Sequence, residues 1–245
     1  MPKKKRADQL LVERGLAESR ERARALILAG RVYRGEARVE KAGTQLADGV
    51  ELSVRGDANP YVSRGGLKLE GALDELGYDP SRKVAADFGA STGGFTDCLL
   101  ARGATRVYAI DVGRGQLHAK LRADARVVMM ERTNARHLSS TSLPERVDLV
   151  VVDASFIGLE KLLPAALDVL REGGECLALV KPQFQVGKDR VGKGGVVRDP
   201  ALRTEAVEFV ASAARALGFD ELARCDSKLP GPKGNVETFL LFRRG

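Results

Sequence analysis

The sequence predicts an α/β protein, in which a mostly parallel sheet carries helices on both faces and a small α+β domain precedes it. Apolar runs of strand length recur after residue 83, and segments with helical spacing separate most of them. Positive charge is concentrated at one end: residues 1–68 hold 15 Lys and Arg against 9 Asp and Glu, whereas the rest holds 25 against 24. Such segregation is typical of a polyanion-binding module attached to a nearly neutral body.

The composition excludes several classes of protein. No apolar run approaches the ~20 residues of a membrane helix, so no membrane association is expected. The basic N-terminus lacks the apolar core of a signal peptide. The three cysteines fit neither a disulfide framework nor a zinc site, which predicts reduced, buried thiols and no metal. We therefore expect a cytoplasmic protein.

The N-terminal domain is predicted to contain two short helices and a hairpin. The first helix ends near Gly15, and Ser19 is a candidate N-cap for the second, which ends at Gly30. Residues 30–39 have the pattern of a hairpin, and residues 41–54 add turns and short strands. Arginines surround the second helix and the hairpin. A basic face is common on solvated surfaces, but the planar guanidinium suits phosphate because it makes two bonds at once.

Residues 55–63 form the predicted linker, because they are rich in Gly, Asp, Asn and Pro. The two domains are therefore placed at residues 1–59 and 60–245. Helices of the large domain are expected at residues 158–173 and 201–218. Its strands are expected at residues 83–89, 105–112, 126–131, 147–156, 175–184 and 236–242. We expect the last strand to be antiparallel, although the sequence does not show direction.

A glycine-rich loop follows the first of these strands. Gly89, Gly93 and Gly94 permit a sharp turn and a close approach to a ligand, or simply the tight turn of any doubly wound fold. Their spacing does not match the dinucleotide fingerprint G-x-G-x-x-G. Asp87 would repel a pyrophosphate, but it can hold the amino-acid end of S-adenosylmethionine. Asp111, 22 residues after Gly89, lies where a carboxylate reaches ribose hydroxyls.

Four charged residues accompany the predicted strands. Asp153 and Lys181 end two consecutive apolar strands, Lys68 lies on a helix that opens the large domain, and Glu237 lies near the start of the last strand. Taken singly, Lys68 and Glu237 read as surface charges. Charges at buried strands are costly unless they are paired, so two consecutive strands that end in a charged residue favour a site at this edge.

The N-terminal residues resemble an S4-type RNA-binding domain over roughly residues 6–55. The resemblance is carried by "DQLLV" at residues 8–12, "GL" at 15–16, "SRERA" at 19–23 and "GRV" at 30–32. It implies recognition of structured RNA by shape and phosphate contacts. The candidate RNA-binding residues of the whole chain are Lys3, Lys4, Lys5, Arg6, Arg20, Arg22, Arg31, Arg64, Lys188, Arg190 and Lys193.

The large domain resembles the FtsJ-like RNA 2′-O-methyltransferases, whose Lys-Asp-Lys-Glu tetrad is matched in order by Lys68, Asp153, Lys181 and Glu237. The flanking segments narrow the resemblance to the TlyA/hemolysin A family, which joins an S4-type domain to such a methyltransferase. They are "SRGGLKL", "DFGASTGGFTD", "DASFIGL", "LVKPQFQVG", "KGGVVRDP" and "GPKGNVET". One departure is Gln185, where the family pattern has an acid. The resemblance implies a Rossmann-like methyltransferase sheet and methyl transfer from S-adenosylmethionine to a ribose 2′-hydroxyl of ribosomal RNA, on a cytidine.

The resemblance also assigns roles within the site. Lys181 is the expected base, oriented by Asp153, with Lys68 and Glu237 positioning the ribose. Whether its neighbours favour the neutral amine that a base requires stays open at this point. Residues 184–199, which are glycine-rich and basic, are predicted to be a mobile lid or an RNA-contact loop. The expected cofactor-binding residues are Asp87, Gly89, Ser91, Thr92, Gly93, Gly94, Phe95, Asp111, Asn134 and Asp153.

Two other functions fit parts of the sequence. The chain is alternatively a non-catalytic RNA-binding or ribosome-assembly factor that retains a cofactor fold, and cofactor binding would separate this from an enzyme. A hemolysin-like membrane-active protein is the other alternative, against which the lack of a membrane span or a strongly amphipathic apolar helix argues. For the methyltransferase and for the assembly factor, the expected partner is ribosomal RNA, within a ribosomal subunit or its precursor.

Overall fold

The structure is a computed structural model that describes residues 4–28, 30–55, 59–231 and 233–245. The chain divides into two compact units, residues 1–58 and 59–245. The described residues of the first unit enclose one apolar cluster around Leu11 and Ile27, and those of the second enclose one apolar cluster on each face of a sheet. None of the described helices has the length and apolar character needed to span a bilayer.

The N-terminal unit is a small α+β domain. Strands β2, β3 and β5 form an antiparallel sheet, and β1 pairs with β4. The predicted hairpin is confirmed as β2 and β3. Ser19 is confirmed as a helix cap, because its Oγ accepts a hydrogen bond from the Arg22 N–H at 3.1 Å. The described elements are β1 (Lys4–Arg6), α1 (Ala7–Glu13), α2 (Arg20–Leu28), β2 (Val32–Arg34), β3 (Ala37–Arg38), β4 (Gln45–Ala47) and β5 (Leu52–Val54).

The C-terminal unit contains a sheet that has seven strands among the described residues, in the order β11-β12-β10-β9-β6-β7-β8. Its elements are α3 (Arg64–Glu75), β6 (Val84–Phe88), α4 (Gly94–Ala101), β7 (Arg106–Ile110), α5 (Ala119–Arg122), β8 (Val127–Met130), β9 (Val147–Val152), α6 (Leu163–Val169), β10 (Leu170–Val180), α7 (Pro200–Ala216), β11 (Phe219–Asp226) and β12 (Thr238–Arg244). Strands β6 to β10 are parallel, and β12 is antiparallel to both of its neighbours. The predicted mostly parallel sheet with an antiparallel last strand is confirmed.

Apolar side chains cover both faces of this sheet. Residues of α6 and α7 pack on one face, and residues of α3 and α4 pack on the other. Leu149 to Val152 of β9 are all fully buried, which explains why a central strand reads as an unbroken apolar run. The three cysteines are buried and form no disulfide, as expected.

The strands predicted to reach residues 156 and 184 end at Val152 and Val180, and two further elements differ from the prediction. Strand β11 is missing from the predicted strands because it lies at the sheet edge, where Phe219 and Cys225 are its only buried side chains. The helix predicted to reach residue 173 ends at Val169, because Leu170 already pairs with Val147 at the start of β9. In both places, pairing within the sheet overrides the local pattern.

Candidate active site

The sheet topology brings three of the four tetrad residues to one edge. Asp153 follows β9 and Lys181 follows β10, and the carboxyl ends of parallel strands meet at the same edge. Strand β12 is antiparallel, so Glu237 at its start reaches that edge as well, and the register pairs Val180 with Thr238. Antiparallel addition of β12 therefore brings Glu237 to the edge of the sheet at which Lys181 lies.

The four residues form two ion pairs. Lys181 Nζ lies 2.5 Å from Asp153 Oδ1 and donates a hydrogen bond to Ser155 Oγ at 3.0 Å. Lys68 Nζ, which reaches the edge from α3, lies 2.5 Å from Glu237 Oε2. Glu237 is fully buried, and the side chains of both lysines are about nine-tenths buried. Each pair therefore neutralises charges that would be costly alone.

All four residues line one cavity of about 840 Å³. The glycine-rich loop forms part of the cavity wall, and the exposed Arg64 also lines the cavity. Within the described residues, Glu237 Oε1 has no hydrogen-bond partner although it is buried. An acceptor of this kind, held in place by its ion pair with Lys68, is available to a ligand hydroxyl.

Asp87 is a buried carboxyl with one oxygen to spare. Its Oδ2 accepts hydrogen bonds from the Thr96 N–H at 3.0 Å and the Thr96 hydroxyl at 2.7 Å, while Oδ1 has no partner among the described residues. Burial raises the pKa of Asp87 to about 7; the negative charges of Asp153 and Asp111 add to this rise, and the bonds from Thr96 oppose it. Because Asp87 also lines the cavity, it is a candidate partner for a cationic group.

The glycine loop has a backbone conformation that lets neighbouring backbone or a ligand approach it closely. Gly89 has φ +88°, and a side chain there would lie 2.9 Å from the Asp153 carbonyl oxygen. Asp111 holds the loop from the next strand, since it accepts hydrogen bonds from the N–H groups of Ser91 at 2.8 Å and Gly113 at 2.7 Å. A second cavity of about 510 Å³ adjoins this loop and is lined by Asp111 and Asn134 among others.

The structure brings most of the predicted cofactor residues together. The larger cavity is lined by Asp87, Gly89, Ser91, Thr92, Gly94, Phe95 and Asp153, and the smaller one by Gly89, Ser91, Asp111, Asn134 and Asp153. Gly93 lines neither; it precedes α4 with φ +96°, against the side chains of Leu117 and Leu121. Its contribution is therefore the turn itself.

Sequence reasoning missed Phe156. This side chain is 92% exposed although it is aromatic, and its backbone has φ 65°, a conformation that is strained for a bulky residue. Its ring lies 5.3 Å from the ring of Phe184, and both residues line the larger cavity. In the sequence, Phe156 reads as the last apolar residue of a strand, so no local signal indicates its exposure.

The candidate RNA-binding residues of the N-terminal unit differ in their surroundings. Lys4 and Arg22 are exposed, Lys5 pairs with Glu13 and Asp48, and Arg31 donates to the Arg55 carbonyl. Arg6 and Arg20 both bind Asp8. Lys3, and the side chain of Lys188 in the other unit, lie outside the described residues.

The segment at residues 184–199 of the C-terminal unit packs against α7. Val186 and Val197 form a small apolar cluster with Ala206, and Arg190 makes two hydrogen bonds to Glu205 at 2.8 and 2.6 Å. Lys193 is exposed. The side chain of Gln185, where the family pattern has an acid, is placed to donate to Glu160 at 3.2 Å, which a carboxylate does not do. The glutamine that replaces the family's acid at position 185 therefore has a hydrogen-bond partner nearby, Glu160.

Comparison with known proteins identifies both units. The FtsJ-like methyltransferase family model matches residues 61–244, and the S4 domain model matches residues 5–52. A protein of Mycobacterium tuberculosis, named 16S/23S rRNA (cytidine-2′-O)-methyltransferase TlyA, is 48% identical over 244 residues, which cover 99% of this chain and 91% of that protein. The chain belongs to the TlyA/hemolysin A family of FtsJ-like methyltransferases.

Further members of the TlyA/hemolysin A family align over nearly the whole chain. Hemolysin A of Brachyspira hyodysenteriae is 40% identical over 238 residues, which cover 97% of this chain and 99% of the relative. A solved structure from Streptococcus thermophilus has a TM-score of 0.79 and 40% identity, and the match covers 100% of this chain and 89% of that one. The predicted family is confirmed.

Proposed function

We propose that this chain transfers a methyl group from S-adenosylmethionine to the ribose 2′-hydroxyl of a cytidine in ribosomal RNA, within a ribosomal subunit or its precursor. The observation that carries the proposal is that two buried ion pairs, Lys181 with Asp153 and Lys68 with Glu237, face one cavity beside the glycine-rich loop. The S4 domain and the name of the Mycobacterium tuberculosis relative support the RNA substrate.

The residues present fit S-adenosylmethionine. Asp87 offers its unpartnered oxygen to the ammonium group, and Asp111 offers lone pairs of its fixed carboxylate to the ribose hydroxyls. The exposed Asn134 keeps its amide N–H groups for the base, because its oxygen accepts from the Arg136 N–H at 3.1 Å. When bound, the cofactor supplies a methyl group on a positively charged sulfur.

The acceptor hydroxyl must lose its proton as its oxygen forms the new bond to carbon. Lys181 is placed to take this proton at Nζ when the amine is neutral, and Asp153 at 2.5 Å stabilises the ammonium that results. Ser155 fixes the direction of the amine. Lys68 holds Glu237, whose Oε1 accepts a hydrogen bond from the substrate sugar and so orients it.

The exposed Phe156 and the half-buried Phe184 support a single-stranded or extruded target nucleotide. Bases in single-stranded RNA are recognised largely by stacking on aromatic side chains. Phe156 and Phe184 offer such a surface on the lining of the larger cavity. A base stacked there would leave its ribose close to the tetrad, which a base paired in a duplex cannot achieve.

The test is methyl transfer to ribosomal subunits with isotopically labelled S-adenosylmethionine, followed by mapping of 2′-O-methyl groups. We expect methylated cytidine with the parent chain and a rate lowered by ~10²–10⁴-fold with Lys181→Arg. Lys161→Arg, a matched exchange at an exposed lysine, should keep the parent rate. Absence of methylation by a chain that binds both cofactor and RNA would favour a non-catalytic assembly factor. Leakage of liposomes caused by the purified chain would favour the membrane-active alternative.

A further inference from the structure

Asp8 of the N-terminal unit is a buried carboxylate surrounded by guanidinium groups. Its side chain is fully buried in the first turn of α1. Arg6 donates from Nε at 3.0 Å and from Nη2 at 3.1 Å, Arg20 donates from Nη2 at 3.2 Å, and Arg24 donates from Nε at 3.3 Å. The fork of Arg6 holds the pKa of Asp8 well below its ordinary value, so the carboxylate stays ionised.

The local structure makes these arginines converge. Arg20 and Arg24 are one turn apart on α2 and therefore lie on the same face of that helix. Arg6 immediately precedes α1, which carries Asp8. The side chains of Arg6, Arg20 and Arg24 remain 39%, 49% and 55% exposed, respectively. Within the part of the chain that the structure describes, the other guanidinium nitrogens of Arg20 and Arg24 have no hydrogen-bond partner.

From this geometry we infer that Asp8 is a positioning residue, which holds the guanidinium groups of Arg6, Arg20 and Arg24 in one arrangement for binding RNA phosphates. The inference rests on the proposed function in taking RNA as the ligand. An arginine side chain loses much rotamer freedom when it binds, and prior ordering reduces that loss. Asp8 also offsets the mutual repulsion of three like charges, so they stay close enough to meet neighbouring phosphates.

Neutralising Asp8 separates the effect of positioning from the effect of net charge, because the two predict opposite changes in RNA affinity. Asp8→Asn adds one positive charge to the unit, so charge alone predicts tighter RNA binding. Positioning predicts weaker binding. The arginines freed from Asp8 must then be ordered when RNA binds, and this costs ~10-fold in affinity. The matched control is Glu36→Gln, which makes the same charge change at a 91% exposed side chain paired with Arg55.

The assay is binding of the full chain to a fluorescently labelled hairpin of ribosomal RNA over a range of salt concentrations. Each phosphate contact that is lost reduces the slope of log affinity against log salt concentration by ~0.9. We expect Asp8→Asn to show a smaller slope and weaker binding, and Glu36→Gln to bind at least as tightly as the parent. Equal affinity and slope in Asp8→Asn and Glu36→Gln would overturn the inference.

A second pair of variants keeps the test decisive if Asp8→Asn does not fold, which thermal unfolding would reveal. Arg24→Gln and Arg34→Gln each remove one charge from the N-terminal unit at an exposed arginine, but of the two only Arg24 is held by Asp8. Positioning predicts a loss of RNA affinity several-fold larger for Arg24→Gln, and equal losses would contradict it. A parent chain that binds RNA without methylating it contradicts the proposed function alone, since these variants are compared by binding.

Discussion

The pH dependence of cofactor binding tests the role of Asp87. Because the pKa of Asp87 is raised to about 7 by burial, its carboxyl is mostly protonated below that pH and mostly ionised above it. Only the ionised form attracts an ammonium group, and an ordinary α-amino group loses its charge near pH ~8. The affinity for S-adenosylmethionine should therefore rise as the pH increases through 7 and fall again above 8.

The size of this effect follows from the fraction of ionised carboxyl. At about pH 6 a group with this pKa is ~10% ionised, and at about pH 5 it is ~1% ionised, so the affinity should fall about 10-fold and then about 100-fold below its maximum. Since the carboxyl must ionise to bind the ammonium, binding near pH 6 should release roughly one proton. Near pH 8 this release from Asp87 should almost vanish.

Isothermal titration calorimetry in buffers of different ionisation enthalpy measures both the affinity and the proton release. Asp87→Asn is the matched variant, because its amide oxygen can accept the two hydrogen bonds from Thr96 while the side chain no longer ionises. We expect the variant to bind more weakly at pH 7 and to show no loss of affinity between pH 7 and 5. A parent profile that is flat on the acid side, or an acid limb that survives in Asp87→Asn, would refute the reasoning.

The same shift links Asp87 to the stability of the cofactor-free chain. The folded-state pKa of Asp87, about 7, lies above its ordinary value of 3.8, so the folded chain binds this proton more tightly than the unfolded chain does. Its stabilising contribution is complete below about pH 4 and is lost as the pH rises to 7, by an amount on the order of 4 kcal/mol. The free energy of unfolding, measured with denaturant, should therefore be compared for Asp87→Asn and the parent at pH 4 and at pH 8. The difference between them should shift in favour of Asp87→Asn as the pH rises from 4 to 8.

Three further predictions concern the site. Lys181→Arg should lower the rate of methyl transfer by ~10²–10⁴-fold with binding retained, because arginine stays protonated; a rate close to that of the Lys161→Arg control would exclude Lys181 as the base. Asp111→Ala should weaken cofactor binding by ~10–100-fold in calorimetry, since the N–H groups of Ser91 and Gly113 lose their acceptor, and unchanged affinity would remove Asp111 from the cofactor site. Phe156→Ala should raise the KM for the RNA substrate with little change in cofactor affinity or stability, because the exposed ring packs little against the core; a parent-like KM would mean that no base stacks there.

The sequence alone locates the edge of the sheet where the site lies, because strand ends are local features. Val180 is followed by a lysine and then by Pro182, which has no N–H for a ladder, so the end of β10 can be predicted from neighbouring residues. The glycine loop and Asp111 are also local, since each immediately follows an apolar run. The fold class, the glycine loop and the strand-end charges Asp111, Asp153 and Lys181 could therefore be predicted without coordinates.

Only the tertiary structure decides which of these charges meet. Lys68 and Glu237 are 169 residues apart, and their ion pair depends on an antiparallel β12 and on the position of α3. The exposure of Phe156 and the edge strand β11 likewise leave no periodic trace in the sequence. Arg20 and Arg24 have helical spacing, but only the fold brings Asp8 and Arg6 to them. The physical reason is that spacing along the chain reports the neighbours within one helix or strand, whereas burial and ion pairing depend on which elements the fold packs together.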